Sequence, residues 1–127
     1  MDESNVKNNF ENISREELLE KISRRERFFL VETLPAESYH HAHLPGAINI
    51  PASQIADLAA SHLPDKNSEI VVYCANLQCD ASEAAARELI EMGYKNVRDY
   101  AAGKQDWIDA GLEIESDHIH KKRKAQQ

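Results

Sequence analysis

The run Ile70-Val-Val-Tyr-Cys74 sets five apolar side chains in a row, the first three of them β-branched. Unbroken apolarity, in place of period-two alternation, marks a strand covered on both faces, as happens in parallel sheets flanked by helices. Such a strand needs helices to cover it, and a helical pattern follows. Over residues 81–92, Ala81, Ala85, Leu89 and Met92 share one face, with Asp80 at the N-cap position, Glu83 three residues on and Gly93 as the stop. The alanines allow close packing on a sheet.

The same alternation recurs along the chain. Strand patterns fall at 28–32, 47–50 and 97–100, and helical patterns at 15–22 and 53–61. Ser14 and Glu17 have the spacing of a capping box, Ile13 and Leu18 that of a hydrophobic staple, and Leu18, Leu19 and Ile22 are expected to face inward. Leu44-Pro45-Gly46-Ala47 reads as a turn with Pro second and Gly third. Strands interleaved with helices predict an α/β fold, a central parallel sheet of about five strands with helices on both faces. A chain of 127 residues suits one domain and not two. We expect a loose arm over 1–12, one domain over 13–115 and a charged tail over 116–127.

Charge restricts the partners. The net charge is -7, and because residues 117–127 carry four positive charges and one negative, residues 1–116 hold -10. An acidic body repels nucleic acid and anionic lipid, so neither is expected as a partner. The basic run Lys121-Lys-Arg-Lys124 reads as a solvated tail. No apolar run approaches membrane-spanning length, and Met1-Asp-Glu-Ser-Asn-Val6 does not read as a signal peptide, so the cytoplasm is the expected compartment. Two cysteines, Cys74 and Cys79, are too few for a disulfide framework, which favours a chemical role for them.

Cys74 ends a buried strand and precedes a loop, the edge of an open α/β sheet where ligands bind. The loop Ala75, Asn76, Leu77, Gln78, Cys79 and then Asp80 leads into a helix N-terminus, and its amides are expected to point at the Cys74 sulfur. Such donors favour a thiolate and would hold the outer sulfur of a persulfide. By itself, a cysteine at a strand end also reads as a small packing residue.

What changes the reading is a set of motifs in order. Ile13-Ser-Arg-Glu-Glu-Leu18, Phe29-Leu-Val-Glu32, His43-Leu-Pro-Gly-Ala-Ile-Asn-Ile-Pro51, Ile70-Val-Val-Tyr-Cys74, Gly93-Tyr-Lys-Asn-Val-Arg-Asp-Tyr100, and Ala102-Gly103 with Trp107 and Gly111 together resemble the rhodanese domain. The resemblance runs from Ile13 to about Ile114. It implies a sulfurtransferase with a catalytic cysteine at Cys74. Two departures qualify it: Glu32-Thr33-Leu34 stands where rhodaneses commonly have Asp-Val-Arg, and the active loop has no Gly, Lys or Arg and is followed by Asp80. Without cations the thiol is less acidified, and dianionic thiosulfate is expected to be a poor donor beside a persulfide on a partner protein, polysulfide or a small thiol persulfide.

Cys79 has two readings. Either it is a candidate resolving thiol that attacks a Cys74 persulfide, expels sulfide and leaves a disulfide, or it fills the inner side of the loop. His40, His41 and His43 resemble a metal cluster, but His43 belongs to a turn motif and nothing completes a zinc site, so no metal is expected. His118 and His120 read as solvated, Trp107 as a packing anchor, and Asn76 and Gln78 as either donors to a bound thiol or water-facing groups.

The mechanism expected has three steps: Cys74 thiolate attacks a donor's outer sulfur, the amides of residues 76–80 hold the persulfide, and a thiol or other nucleophile removes it. No cofactor is required. Phosphatases and arsenate reductases related to rhodaneses need an Arg six positions after the cysteine, and Asp80 stands there. A Cys74/Cys79 dithiol redox protein and a non-catalytic binding module are the remaining alternatives. The donor, the acceptor and the oligomeric state are not legible in the sequence.

Overall fold

A computed structural model of the chain describes residues 10–117. Five parallel strands form one sheet: β1 (Glu11–Asn12), β2 (Phe29–Glu32), β3 (Ile48–Asn49), β4 (Glu69–Tyr73) and β5 (Asn96–Tyr100). Their order is β1-β5-β4-β2-β3, which puts β4 at the centre with β5 and β2 on its two sides. Five helices accompany them: α1 (Arg15–Ser23), α2 (Ala36–His41), α3 (Ile55–His62), α4 (Ala81–Glu91) and α5 (Gly103–Asp109), with a short 3-10 turn at Ala52–Gln54.

The central strand divides the interior into two cores, because successive side chains of a strand point to opposite faces. Ile70 and Val72 join Val31, Ile55, Ala85 and Leu89 on one face, under α3 and α4. Val71 and Tyr73 join Leu18, Leu30, Tyr100 and Trp107 on the other, under α1 and α5. Residues 70–73 are wholly buried, as the unbroken apolar run requires.

Local signals hold at several element ends. Ser14 Oγ accepts the Glu17 amide at 3.1 Å and caps α1, and Ile13 and Leu18 are both buried. In the turn at 44–47 the Ala47 amide donates to Leu44 O at 3.1 Å, with Gly46 at φ +78°.

Elsewhere tertiary contacts moved the boundaries. Glu11 and Asn12, assigned above to the loose arm, pair with Arg98 and Asp99 as the edge strand β1. β4 stops at Tyr73, because the Cys74 carbonyl turns to α5 and accepts the Lys104 amide. The pattern at 53–61 becomes a 3-10 turn followed by α3. Helix α2 left no apolar period in the sequence because it buries none of its residues. Asp80 does occupy the N-cap position of α4, but its side chain makes no capping bond, and Glu83 pairs with Arg87 instead of reaching back. Residues 1–9 and 118–127, which include His118, His120 and Lys121–Lys124, lie outside the described residues.

Candidate active site

Cys74 sits one residue past the end of β4, at the carboxyl edge of the sheet, and is 1% exposed. The start of the following loop is tied to α5: Lys104 N donates to Cys74 O and Gln105 N to Ala75 O, each at 2.8 Å. This approach requires Gly103. A Cβ there would lie 2.7 Å from Cys74 O and 2.8 Å from Ala75 C, and its φ of +77° is strained for any side chain. The Lys104 side chain donates to Glu32 Oε2 at 2.9 Å and to the carbonyls of Ser38 and Ala42. Glu32 also accepts from the Tyr73 hydroxyl at 2.7 Å, so the residue that departs from the rhodanese pattern is the buried centre of a polar network.

The loop is organised by Asn76. Its side-chain oxygen accepts the Gln78 amide at 3.0 Å and its carbonyl accepts the Cys79 amide at 3.1 Å. These two amides were expected to face the Cys74 sulfur, and the turn directs them to Asn76 because a local acceptor satisfies them without opening the loop. Leu77 and Gln78 at the loop tip are exposed, Leu77 at 73%, and Asp80 is exposed beyond them. The Cys74 sulfur instead lies 3.4 Å from Cys79 O and 3.4 Å from Ser82 Oγ.

The two cysteines meet. Their sulfurs are in bonding contact and their α-carbons are 6.4 Å apart, within the ~4.4–6.8 Å that a disulfide spans. The curl of the loop around Asn76 makes this possible, since it carries Cys79 back over the end of β4.

Behind Ser82 stands a group the sequence reading did not select. Asp99 on β5 is 4% exposed, and its Oδ1 has no hydrogen-bond partner. Burial holds its carboxyl above the usual carboxylate range, a hydrogen bond from Ser82 works the other way, and nearby Glu83 adds to the rise. Its signal was present in the sequence: Asp99 follows Val97 at period two, so it shares the face that Val97 buries.

The remaining sequence candidates are structural. His43 stacks on Tyr39 with ring centroids 3.9 Å apart, and its Nδ1 meets Tyr39 O at 2.7 Å. His40 pairs with Asp117. Among the described residues no three His, Cys, Asp or Glu side chains converge to hold a metal ion. Trp107 is 1% exposed and donates from Nε1 to Glu113 O at 2.8 Å, which makes it a packing anchor.

The rhodanese-like domain family matches this chain over residues 14–110, a span that includes Cys74, its loop and α4. The chain belongs to the rhodanese-like domain family. It is 37% identical over 94 residues to the adenylyltransferase and sulfurtransferase UBA4 of Candida albicans, covering 69% of this chain and 21% of that protein. It is 38% identical over 71 residues to the thiosulfate sulfurtransferase PspE of Escherichia coli, covering 55% of this chain and 64% of that one. In three dimensions the BH2092 protein of Bacillus halodurans superposes with a TM-score of 0.78 at 26% identity, covering 84% of this chain and 77% of the other. The rhodanese-like chain thus spans between a fifth and two thirds of the length of these two curated relatives. Among the described residues no helix is long and apolar enough to cross a membrane.

Proposed function

We propose that this rhodanese-like domain is a sulfurtransferase that carries sulfane sulfur as a persulfide on Cys74, from a persulfide, polysulfide or thiosulfate donor to a thiol or other nucleophilic acceptor. The observation that carries the reading is the placement of Cys74 one residue past β4, at the carboxyl edge of the sheet. The named sulfurtransferases among the relatives support the reaction class.

In the forward step, Cys74 thiolate attacks the outer sulfur of the donor, and the donor's remaining thiolate leaves. Cys79 then has a defined part. Its thiolate attacks the inner sulfur of the Cys74 persulfide, the S–S bond to the outer sulfur breaks, and hydrosulfide departs. The dithiol is oxidised to a disulfide as the sulfane sulfur is reduced, and two equivalents of an external thiol restore the cysteines. The outer sulfur of the persulfide would take the space that the Cys79 sulfur fills, so loading follows reduction of the pair.

Charge decides the donor. The loop lacks cations, Lys104 is neutralised by buried Glu32, and Asp99 lies behind Ser82. Dianionic thiosulfate meets no positive charge in such a site, whereas a monoanionic persulfide or polysulfide is less disfavoured. A cavity of about 790 Å³ beside the loop, where Ala75, Asn76, Gln105 and Ile108 line the wall together with Glu37, His41 and the Glu32-paired Lys104, supplies the approach for a thiol acceptor. Intact-protein mass spectrometry after polysulfide treatment of the reduced chain should show one added sulfur, lost in Cys74→Ser. Turnover of thiosulfate and cyanide as fast as that of persulfides would overturn the donor assignment.

The cysteine pair also favours a second reading, a dithiol redox protein without sulfane sulfur. It predicts a Cys74/Cys79 reduction potential near that of the cellular thiol pool and no added sulfur in the mass spectrum.

A further inference from the structure

We propose that Cys74 and Asp99 share one negative charge through the Ser82 hydroxyl, so that Asp99 takes up the proton Cys74 releases when its sulfur becomes an anion. This rests on the reading of Cys74 as the reactive sulfur, and it assigns Ser82 and Asp99 to that site as positioning residues.

Three buried groups carry the inference. Cys74, Ser82 and Asp99 are 1%, 2% and 4% exposed, so no bulk water mediates between them. With Cys74 joined to Cys79 its sulfur carries no proton, and its Sγ lies 3.4 Å from Ser82 Oγ, the separation at which the reduced thiol donates to that hydroxyl. The Ser82 hydroxyl in turn bonds the Asp99 carboxyl, which keeps its other oxygen, Oδ1, buried without a partner. The fold builds this line. Ser82 lies in the first turn of α4, Asp99 lies on β5, and Val72 of β4, two residues before Cys74, is the register partner of Asp99.

A hydroxyl has one proton to give and lone pairs to receive, so the line has two polarities. With Asp99 ionised, Ser82 donates to the carboxylate and its lone pairs accept the Cys74 S–H. With Asp99 protonated, the carboxyl donates to Ser82 Oγ and Ser82 donates to an anionic sulfur. Passing from one to the other breaks the Cys74 S–H bond, forms an O–H bond at Ser82, breaks the original Ser82 O–H bond and forms an O–H bond at Asp99. Charge within the site is unchanged, so a thiolate or persulfide anion arises without adding net charge to a buried region. No oxidant or co-reactant takes part.

The groups facing Asp99 do not disturb this assignment. From α4, Glu83 is the charged neighbour and it opposes ionisation of Asp99. From the β1 side, Phe10 and Asn12 line the same recess and are uncharged. From β4 the register partner is Val72.

The test is the pH dependence of Cys74 alkylation by iodoacetamide in the full chain carrying Cys79→Ser, where Cys74 is the sole thiol. Asp99→Asn removes the competing charge, and the midpoint should fall by about one pH unit, a tenfold gain in thiolate at fixed pH. Ser82→Ala removes the hydroxyl donor but keeps the carboxylate, and the midpoint should rise. Ser82→Thr restores the hydroxyl and should restore the midpoint. Opposite shifts in the two disrupting variants are not produced by loosened packing, which would move both toward an ordinary exposed thiol. An unchanged midpoint in Asp99→Asn, or shifts of one sign in both, would overturn the inference; if Asp99→Asn does not fold, the Ser82→Ala and Ser82→Thr pair decides it. The alkylation uses no sulfur donor, so failure to load a persulfide would count against the sulfurtransferase reading alone.

Discussion

Lys104 Nζ and Glu32 Oε2 meet at 2.9 Å inside the protein, with the Glu32 side chain wholly buried and the Lys104 side chain 11% exposed. This ion pair joins α5 to the end of β2, and the backbone amide of the same lysine holds the Cys74 carbonyl. Removing one partner strands the other charge. Lys104→Met should cost about 3–5 kcal/mol in urea denaturation, and adding Glu32→Gln should recover part of that loss. A double-variant cost equal to the sum of the Lys104→Met and Glu32→Gln costs would show that the pair is not coupled.

Gly103 is the point where α5 meets the backbone just past β4. Gly103→Ala places a methyl group 2.7 Å from Cys74 O at a φ of +77°. The backbone strain alone is about 1–2 kcal/mol, and the clash adds to it. We expect a lower melting temperature and a loss of polysulfide-dependent loading greater than the loss of folded protein, read by mass spectrometry on the folded fraction.

Asp99 makes stability depend on pH. Burial raises its carboxyl above the unfolded value of about 3.9. A raised group contributes stability that is complete below the unfolded value and lost as pH rises through the folded one. Asp99→Asn carries no such charge, so its melting temperature relative to the natural chain should climb as pH rises above about 4, the unfolded value. A constant difference across that range would contradict the burial of a charged Asp99.

Cys79→Ser separates storage of sulfur from its release. If Cys79 is the resolving thiol, its removal makes the Cys74 persulfide accumulate and lowers sulfide release without an added acceptor by about tenfold or more. Unchanged release, followed with a sulfide electrode, assigns Cys79 to filling the loop.

Ser14 tests the fold away from the site. Its Oγ caps α1 through the Glu17 amide, so Ser14→Ala should cost about 1 kcal/mol. Urea denaturation reads that change, and persulfide loading should stay as it was.

Much of the architecture was legible before any coordinates, for reasons that can be named. Residues 70–73 of β4 are apolar without alternation because helices cover both faces, and that pattern alone placed a central parallel strand over 70–74, one residue longer than the strand that forms. The Ser14 cap and the turn at Gly46 were readable because each is a contact between residues a few positions apart. Helix α2 escaped because it fully buries no residue and sets only Tyr39 against the core, and the edge strand β1 escaped because two residues carry no period. Both owe their form to neighbours elsewhere in the chain.

The sequence alone thus determined the layered α/β fold, the position of Cys74 and the proximity of Cys79 along the chain, since these follow from local pattern and short spacing. Only the tertiary structure decided where the loop amides point, that Lys104 pairs with Glu32, and that Ser82 and Asp99 stand in line behind the sulfur. The reason is physical. A hydrogen bond or buried charge between residues far apart in sequence is set by packing and desolvation around both partners, and no single stretch of sequence contains both.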